Sequence, residues 1–250
     1  MGLLGILLGV ESDQLPIRGL LNINKKVGLT SMMVCRVVKG KLKSGGAPKR
    51  VKVGHGGTLD PLASGVLVVL IGRATKEQDR IMGTDKAYRA VVDLAHVSES
   101  CDMEFEPVPV AVEREPSLEE VRRACDVFVG DIEQTPPAYS AIKVNGHRAY
   151  ALARKGEEVE MKSRAARIDA IEIVEYSWPR LTIDVRCAKG TYIRSLARDI
   201  GVELGVGGML ASLVRTRVGG FALEDSVTLE ELPDLLYPWD LPTDGLEIKK

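Results

Sequence analysis

The sequence predicts an α+β fold, and three observations lead there. Strand-like and helix-like segments interleave without the regular alternation of a parallel α/β protein. The apolar runs are short and end at glycines, as strands do. Hydrophobic residues make up 45% of the 250 residues, enough to fill a sizeable core. Aromatics are only 4%, so packing must rest on Val, Leu, Ile and Ala.

The elements follow in order. "GLLNINKK" reads as a short strand. Thr30 or Ser31 caps a helix to about Lys43, with Val34, Val37, Val38 and Leu42 on one face. "SGGAPKR" is a flexible basic loop, and "GVLVVLIG" a buried strand. A short helix is expected over residues 73–82, then an alternating strand in "KAYRAVVDLA". Ser117 and Glu120 stand at capping-box spacing and open a helix to about Val129. "AYSAIKV" followed by "NG" reads as a strand and turn, and "HRAYALARKG" as a helix closed by Gly156. "ARIDAIEIVEYSW" and "LTIDVRCAKG" read as neighbouring strands, and "TYIRSLARDIGVELG" as an amphipathic helix opened by Thr191. There is no internal repeat.

The formal net charge of −1 points to no polyanion, but charge is unevenly placed. Seven basic residues and no acid lie between Arg36 and Lys52, whereas eleven acids and three arginines lie between Glu99 and Glu133. Such a split suggests one face for a polyanion and one for solvent, although charge runs are commonly only solvated faces. Cys35, Cys101, Cys125 and Cys187 form no Cys-x-x-Cys pair, and with three scattered histidines there is no metal-ligand spacing. They read as reduced thiols of a cytoplasmic protein. The apolar run in "MGLLGILLGV" lacks a basic region before it and is too short to span a bilayer.

Two constellations could carry chemistry. The first is "GHGGTLDPLASGVL", from Gly54. Asp60 before Pro61 is a common helix-start pair, which gives it a structural reading. The preceding glycines let backbone approach a ligand closely, and His55 in such a loop is unlike core filling. The loop is neither a Walker motif nor a Rossmann fingerprint. The second is "CAKGTYIRSLARDIG", which puts Arg194 and Arg198 on one helix face. Either they pair with Asp199 or Glu203, or Arg194 reaches a carboxylate elsewhere and keeps it ionised.

These blocks, with "KAYRA", "LVRTRVGGF" and "TPPAYSAIKVNGHRAYALARKG", resemble the TruB-type tRNA pseudouridine-55 synthases from about Gly19 to Leu236. The resemblance implies a pseudouridine synthase fold, a central mostly antiparallel sheet flanked by helices. It implies isomerisation of a uridine in the T-loop of tRNA, with the base detached from C1′ of its ribose, turned, and rejoined through C5. By resemblance Asp60 is the catalytic aspartate, Tyr88 the active-site tyrosine and Arg194 the partner of Asp60. His55 matches a residue that inserts into the T-loop, and Tyr192 and Leu213 wall the pocket. Lys25 and Lys76 match basic residues beside the site, and Asp102 an aspartate that contacts RNA. No cofactor and no metal are implied.

The family commonly has Lys-Pro where Lys25 is followed by Lys26, which puts the rigidity of that strand in question. Residues 19–240 are expected to form the catalytic domain, 1–18 an extension, either disordered or docked, and 241–250 a short tail. No C-terminal PUA domain is expected, which argues against the related guide-RNA synthases of the dyskerin type. The expected partner is the T-arm of tRNA, bound by a monomer without membrane contact. Its binding face would gather Arg36–Lys52, Lys76, Lys189, Arg194, Arg198, Arg215 and Arg217.

Overall fold

The computed structural model describes residues 17–140, 142–144, 146–157 and 159–243. Most of the expected N-terminal extension, residues 244–250 of the tail, and Asn145 of the expected turn lie outside them. The chain runs β1 (Arg18–Lys25), α1 (Ser31–Ser44), β2 (Val53–His55) and β3 (Ala63–Gly72), then a 3₁₀ turn (Arg73–Glu77) and α2 (Gln78–Met82). β4 (Lys86–Asp93), β5 (His96–Val97), β6 (Val108–Pro109), α3 (Leu118–Asp126) and β7 (Gly130–Gln134) follow. The rest is β8 (Lys143–Val144), β9 (His147–Arg148), α4 (Ala149–Ala153), β10 (Arg164–Ser177), β11 (Arg180–Cys187), α5 (Ile193–Leu204), β12 (Met209–Val218) and β13 (Phe221–Ala222).

Nine strands form the main sheet in the order β1-β3-β12-β4-β11-β10-β7, with β2 beside β3 and β13 beside β12. All of its pairings are antiparallel except β3 with β12. This is the expected α+β class. β1, with Lys25 at its end, pairs with β3 over its whole length, Arg18 opposite Gly72 and Lys25 opposite Gly65. Hydrogen bonding therefore braces the strand up to Lys25, one residue before the position of the family's proline.

β3 is buried on both faces, which explains its unbroken apolar run. One face joins the large core with α1, α3 and α5; the other packs Val66, Val68 and Leu70 against Ala74, Ile81 and Phe221. In α1 the Thr30 hydroxyl accepts from the Met33 N–H at 3.1 Å, and Lys41 and Lys43 suit its C-terminal end. Val34, Cys35, Val38 and Leu42 are buried, but Val37, expected with them, is 41% exposed. The buried stripe advances in steps of four from Val34, and Val37 falls outside it.

The capping box forms as expected, with Ser117 Oγ accepting from Glu120 N–H and Glu120 Oε2 from Ser117 N–H at 2.8 Å. Its helix ends at Asp126, short of Val129. At α5 the capping position belongs to Tyr192, not Thr191. Its N–H donates to Gln134 Oε1 at 2.8 Å, and Gln134 Nε2 donates back to the Tyr192 carbonyl at 3.1 Å. No side chain caps this helix start, and a side chain from β7 instead clasps the backbone of the capping residue. The "AYSAIKV" strand shrinks to Lys143–Val144 and the following helix to Ala149–Ala153.

Gly65 sits at φ +101°, and a Cβ there would lie 2.2 Å from the Arg215 carbonyl oxygen. Gly46 has a similar φ of +92° but open space around it. Gly65→Ala should lose more unfolding free energy in a denaturant titration than Gly46→Ala. The strain at φ > 0 is common to both, roughly 1–3 kcal/mol, and the backbone clash adds to it only at Gly65.

Candidate active site

Asp60 lies in the loop between β2 and β3. No helix follows it. The Ala63 N–H donates to the Asp60 carbonyl at 3.1 Å, which closes a turn with Pro61 at its second position. The helix-capping reading of Asp60 is therefore corrected. Proline serves here to fix a turn that ends in a strand.

The loop is fastened by its carbonyls. Arg215 Nη2 donates to Gly57 O at 3.2 Å, Nη1 to Thr58 O at 3.1 Å and Nε to Val66 O at 2.8 Å. Lys25 Nζ donates to Ala63 O at 2.6 Å, Leu29 O at 2.8 Å and Lys26 O at 3.1 Å. Ser31 Oγ accepts from Leu59 N–H at 2.9 Å, and the Gly28 N–H donates to Pro61 O at 2.8 Å. Gly57 sits at φ +131°, a backbone conformation that favours glycine whatever the space around it.

Asp60 is half exposed and points into a cleft of about 790 Å³. Its Oδ2 is 3.0 Å from Arg194 Nη2, and Arg194 Nη1 is 3.4 Å from Asp102 Oδ2. Arg194 is 6% exposed and also donates to the Tyr139 and Ser100 carbonyls. One guanidinium thus bridges two carboxylates, with Asp60 on the open side. Asp102 is 5% exposed and accepts from Ser100 Oγ at 2.5 Å and Glu104 N–H at 2.9 Å. Asp102, expected to contact RNA, lines the cleft beside Arg194.

Tyr88, Tyr192, Leu213 and His55 also line the cleft. Burial pushes the Tyr88 phenol above its usual range. The Tyr192 ring lies beneath the Arg164 guanidinium, 4.7 Å from centroid to Cζ. His55 stands on β2 opposite Val69, and its buried Nδ1 has no hydrogen-bond partner among the described residues. Burial first, then the Arg215 charge, lowers its pKa, so the ring is neutral at pH 7.

The structure does not bring Lys25 or Lys76 to the cleft wall. Lys25 is 0% exposed and its ammonium is taken up by three carbonyls, so its expected RNA contact is corrected to holding the loop. Lys76 is exposed on the 3₁₀ turn beyond the far end of β3. Arg215 is 2% exposed and Arg194 6%, so neither belongs to an exposed phosphate-binding face. Three residues escaped sequence reasoning: Arg215 as a clamp, Ser31 beneath the loop, and Gln134 under Tyr192. Only Arg215 left a signal. The alternation in "SLVRTRV" puts Leu213 and Arg215 on one face of a strand.

Two family models match the chain. One, TruB family pseudouridylate synthase (N terminal domain), covers residues 46–193. The other, tRNA pseudouridylate synthase B C-terminal domain, covers residues 194–247. The tRNA pseudouridine synthase B of Parabacteroides distasonis is 46% identical over 217 residues, covering 87% of this chain and 92% of that protein. That of Clostridium kluyveri is also 46% identical, covering 86% of this chain and 72% of that protein. Among solved structures, one described as a Cbf5-Nop10-Gar1 complex matches with TM-score 0.66 and 31% identity. The match covers 86% of this chain and 53% of that one, so this chain spans about half its length.

Burial lowers the Lys25 pKa to about 8 from 10.5, partly opposed by the Asp60 charge. Between those values the unfolded chain holds a proton that the folded protein has shed, so stability rises with pH there. The unfolding free energy of the wild type, measured against Lys25→Met, should gain up to about 3 kcal/mol from pH 8 to 10.5. A flat difference would mean that the three carbonyls keep the ammonium charged.

Proposed function

The chain belongs to the TruB family of pseudouridylate synthases, and on that basis we propose that it converts uridine 55 in the T-loop of tRNA to pseudouridine, with Asp60 as the catalytic group. The observation that carries this reading is the ion pair between Asp60 and the buried Arg194 at the wall of the cleft. Its volume falls within the roughly 300–1,000 Å³ typical of small-ligand sites. A nucleotide must leave its stack to enter, at a cost of a few kcal/mol.

Asp60 must be ionised to act, whether as nucleophile at C1′ of the ribose or as base at C2′. Arg194 meets that carboxylate at 3.0 Å and orients it, and Asp102 on its other side holds the guanidinium in place. The N1–C1′ bond breaks, the base turns within the cleft, and C5 bonds to C1′. Tyr88 then takes the proton from C5, while N1 gains one. Tyr192 and Leu213 flank the base. His55, a neutral ring on the cleft wall, faces the RNA loop.

The phosphate-binding face begins at the cleft. β2 is three residues long, about 10 Å at the rise of a strand. It joins His55 at the cleft to Lys52, the end of the basic loop. Lys43, Lys49, Arg50 and Lys52 are exposed and form no ion pair with a described residue. The T-arm is the part of tRNA that this face and the cleft would grip together, and a single chain supplies both. The four cysteines are buried and free, in keeping with a reducing compartment such as the cytoplasm. No helix among the described residues is long and apolar enough to cross a membrane.

Asp60→Asn keeps the size of the side chain and removes its charge. It should abolish pseudouridine formation on an unmodified tRNA transcript while leaving the unfolding midpoint and tRNA binding near wild type. Turnover within about tenfold of wild type would remove Asp60 from its role. Replacing Lys49, Arg50 and Lys52 together with glutamine should weaken binding and flatten its dependence on salt. At about 0.7–0.9 per phosphate contact, the log–log slope should fall by roughly two. Mapping should find the same uridine modified.

A further inference from the structure

Arg215 is a buried cation with no carboxylate partner among the described residues. It lies on β12 directly opposite Tyr88 of β4, and both side chains line the cleft. Opposed residues of an antiparallel pair have Cβ atoms about 4.5–5.5 Å apart and project to one face. Three of the five N–H groups of the guanidinium go to the carbonyls of Gly57, Thr58 and Val66. Two remain. No acidic side chain among the described residues comes within ion-pair distance of it, so its charge is available to whatever stands before it.

We propose that Arg215 is a positioning residue for the isomerisation, one that holds the backbone of the Asp60 loop and stabilises Tyr88 as a phenolate when the C5 proton is removed. The inference rests on the reading of Tyr88 as proton acceptor. In that step the phenolate oxygen, its own proton already lost to solvent, takes the proton from C5. The C5–H electron pair becomes the C5–C6 double bond, the C6–N1 pair moves onto N1, and N1 takes a proton from water. A phenol in an apolar wall resists ionisation, and burial is the largest influence raising the Tyr88 pKa. The Arg215 charge opposes it more than any other group does. Carbonyl partners leave the guanidinium its full charge, where a carboxylate would neutralise it. The same cation sets the geometry of the loop and the ionisation of the tyrosine, linking the two halves of the reaction.

The test uses the full chain and unmodified tRNA transcript, with Arg215→Met, Arg215→Lys, Tyr88→Phe and the Met/Phe double variant. Single-turnover rates are followed against pH, beside tRNA binding and the unfolding midpoint. Arg215→Met should slow the reaction about a hundredfold, the scale for losing one preorganised electrostatic partner. The midpoint of its pH–rate profile should move to higher pH. Arg215→Lys, which keeps the charge and loses the fork, should restore part of the rate and bring the midpoint back toward wild type. The double variant should lose less than the product of the two single losses, because once Tyr88 is gone only the loop contribution of Arg215 is left to lose. A slow Arg215→Met with an unmoved midpoint and losses that multiply with those of Tyr88→Phe would reduce Arg215 to scaffold and overturn the proposal. Tyr88→Phe at the wild-type rate would overturn it too, by removing the proton acceptor on which it rests. Should Arg215→Met fail to fold, the midpoint in Arg215→Lys decides alone, and a midpoint moved up with binding intact supports the proposal.

Discussion

The site depends on buried cations gripping backbone carbonyls. A carboxylate in a glycine-rich loop has no fixed position of its own, because glycine leaves the chain many conformations. Here Arg215, Lys25 and the hydroxyl of Ser31 hold the loop from beneath at Gly57, Thr58, Leu59 and Ala63. Each grip satisfies two needs at once. Loop carbonyls turned inward require donors, and a buried ammonium or guanidinium requires acceptors. The strands only bring the donors to the right depth.

Arg194 does the opposite kind of work. Besides the Ser100 and Tyr139 carbonyls it meets two carboxylates, one sealed at 5% exposure and one opening on the cleft. A buried ion pair is a weak source of stability, since desolvating both charges offsets most of their attraction. Its value is geometric. Asp102 takes one nitrogen and leaves the other to meet Asp60, so the catalytic candidate is oriented from the protein side before RNA arrives. Gln134, clasping both backbone groups of Tyr192, fixes the start of the helix that carries Arg194.

What could be read from the chain alone divides along sequence distance. The hydroxyl of Thr30, the box of Ser117 and Glu120, and the apolar run of β3 act on neighbours a few residues away, and all were legible. Asp60, Tyr88 and Arg194 were picked out by motif, but nothing in spacing could bring Arg194 within 3.0 Å of Asp60 across more than a hundred residues. Lys25 looked like a surface base because lysines are mostly exposed; only the pairing of β1 with β3 shows it at 0% exposure under Ala63. β12 went unread as a strand because Arg215 and Arg217 interrupt its apolar pattern, and one of those arginines is the clamp. The polar break that hid the strand is the functional residue.

A clamp made of cations and main-chain oxygens has a consequence for how such a site could change. Every residue type carries a carbonyl, so Arg215 and Lys25 cannot tell which side chains the loop bears at Thr58 or Leu62. The surface offered to the nucleotide could be rewritten there while the frame beneath it stayed in register. Specificity and framework are thus separable in this loop, a modular arrangement in which the visible tier can be redesigned without disturbing its foundation.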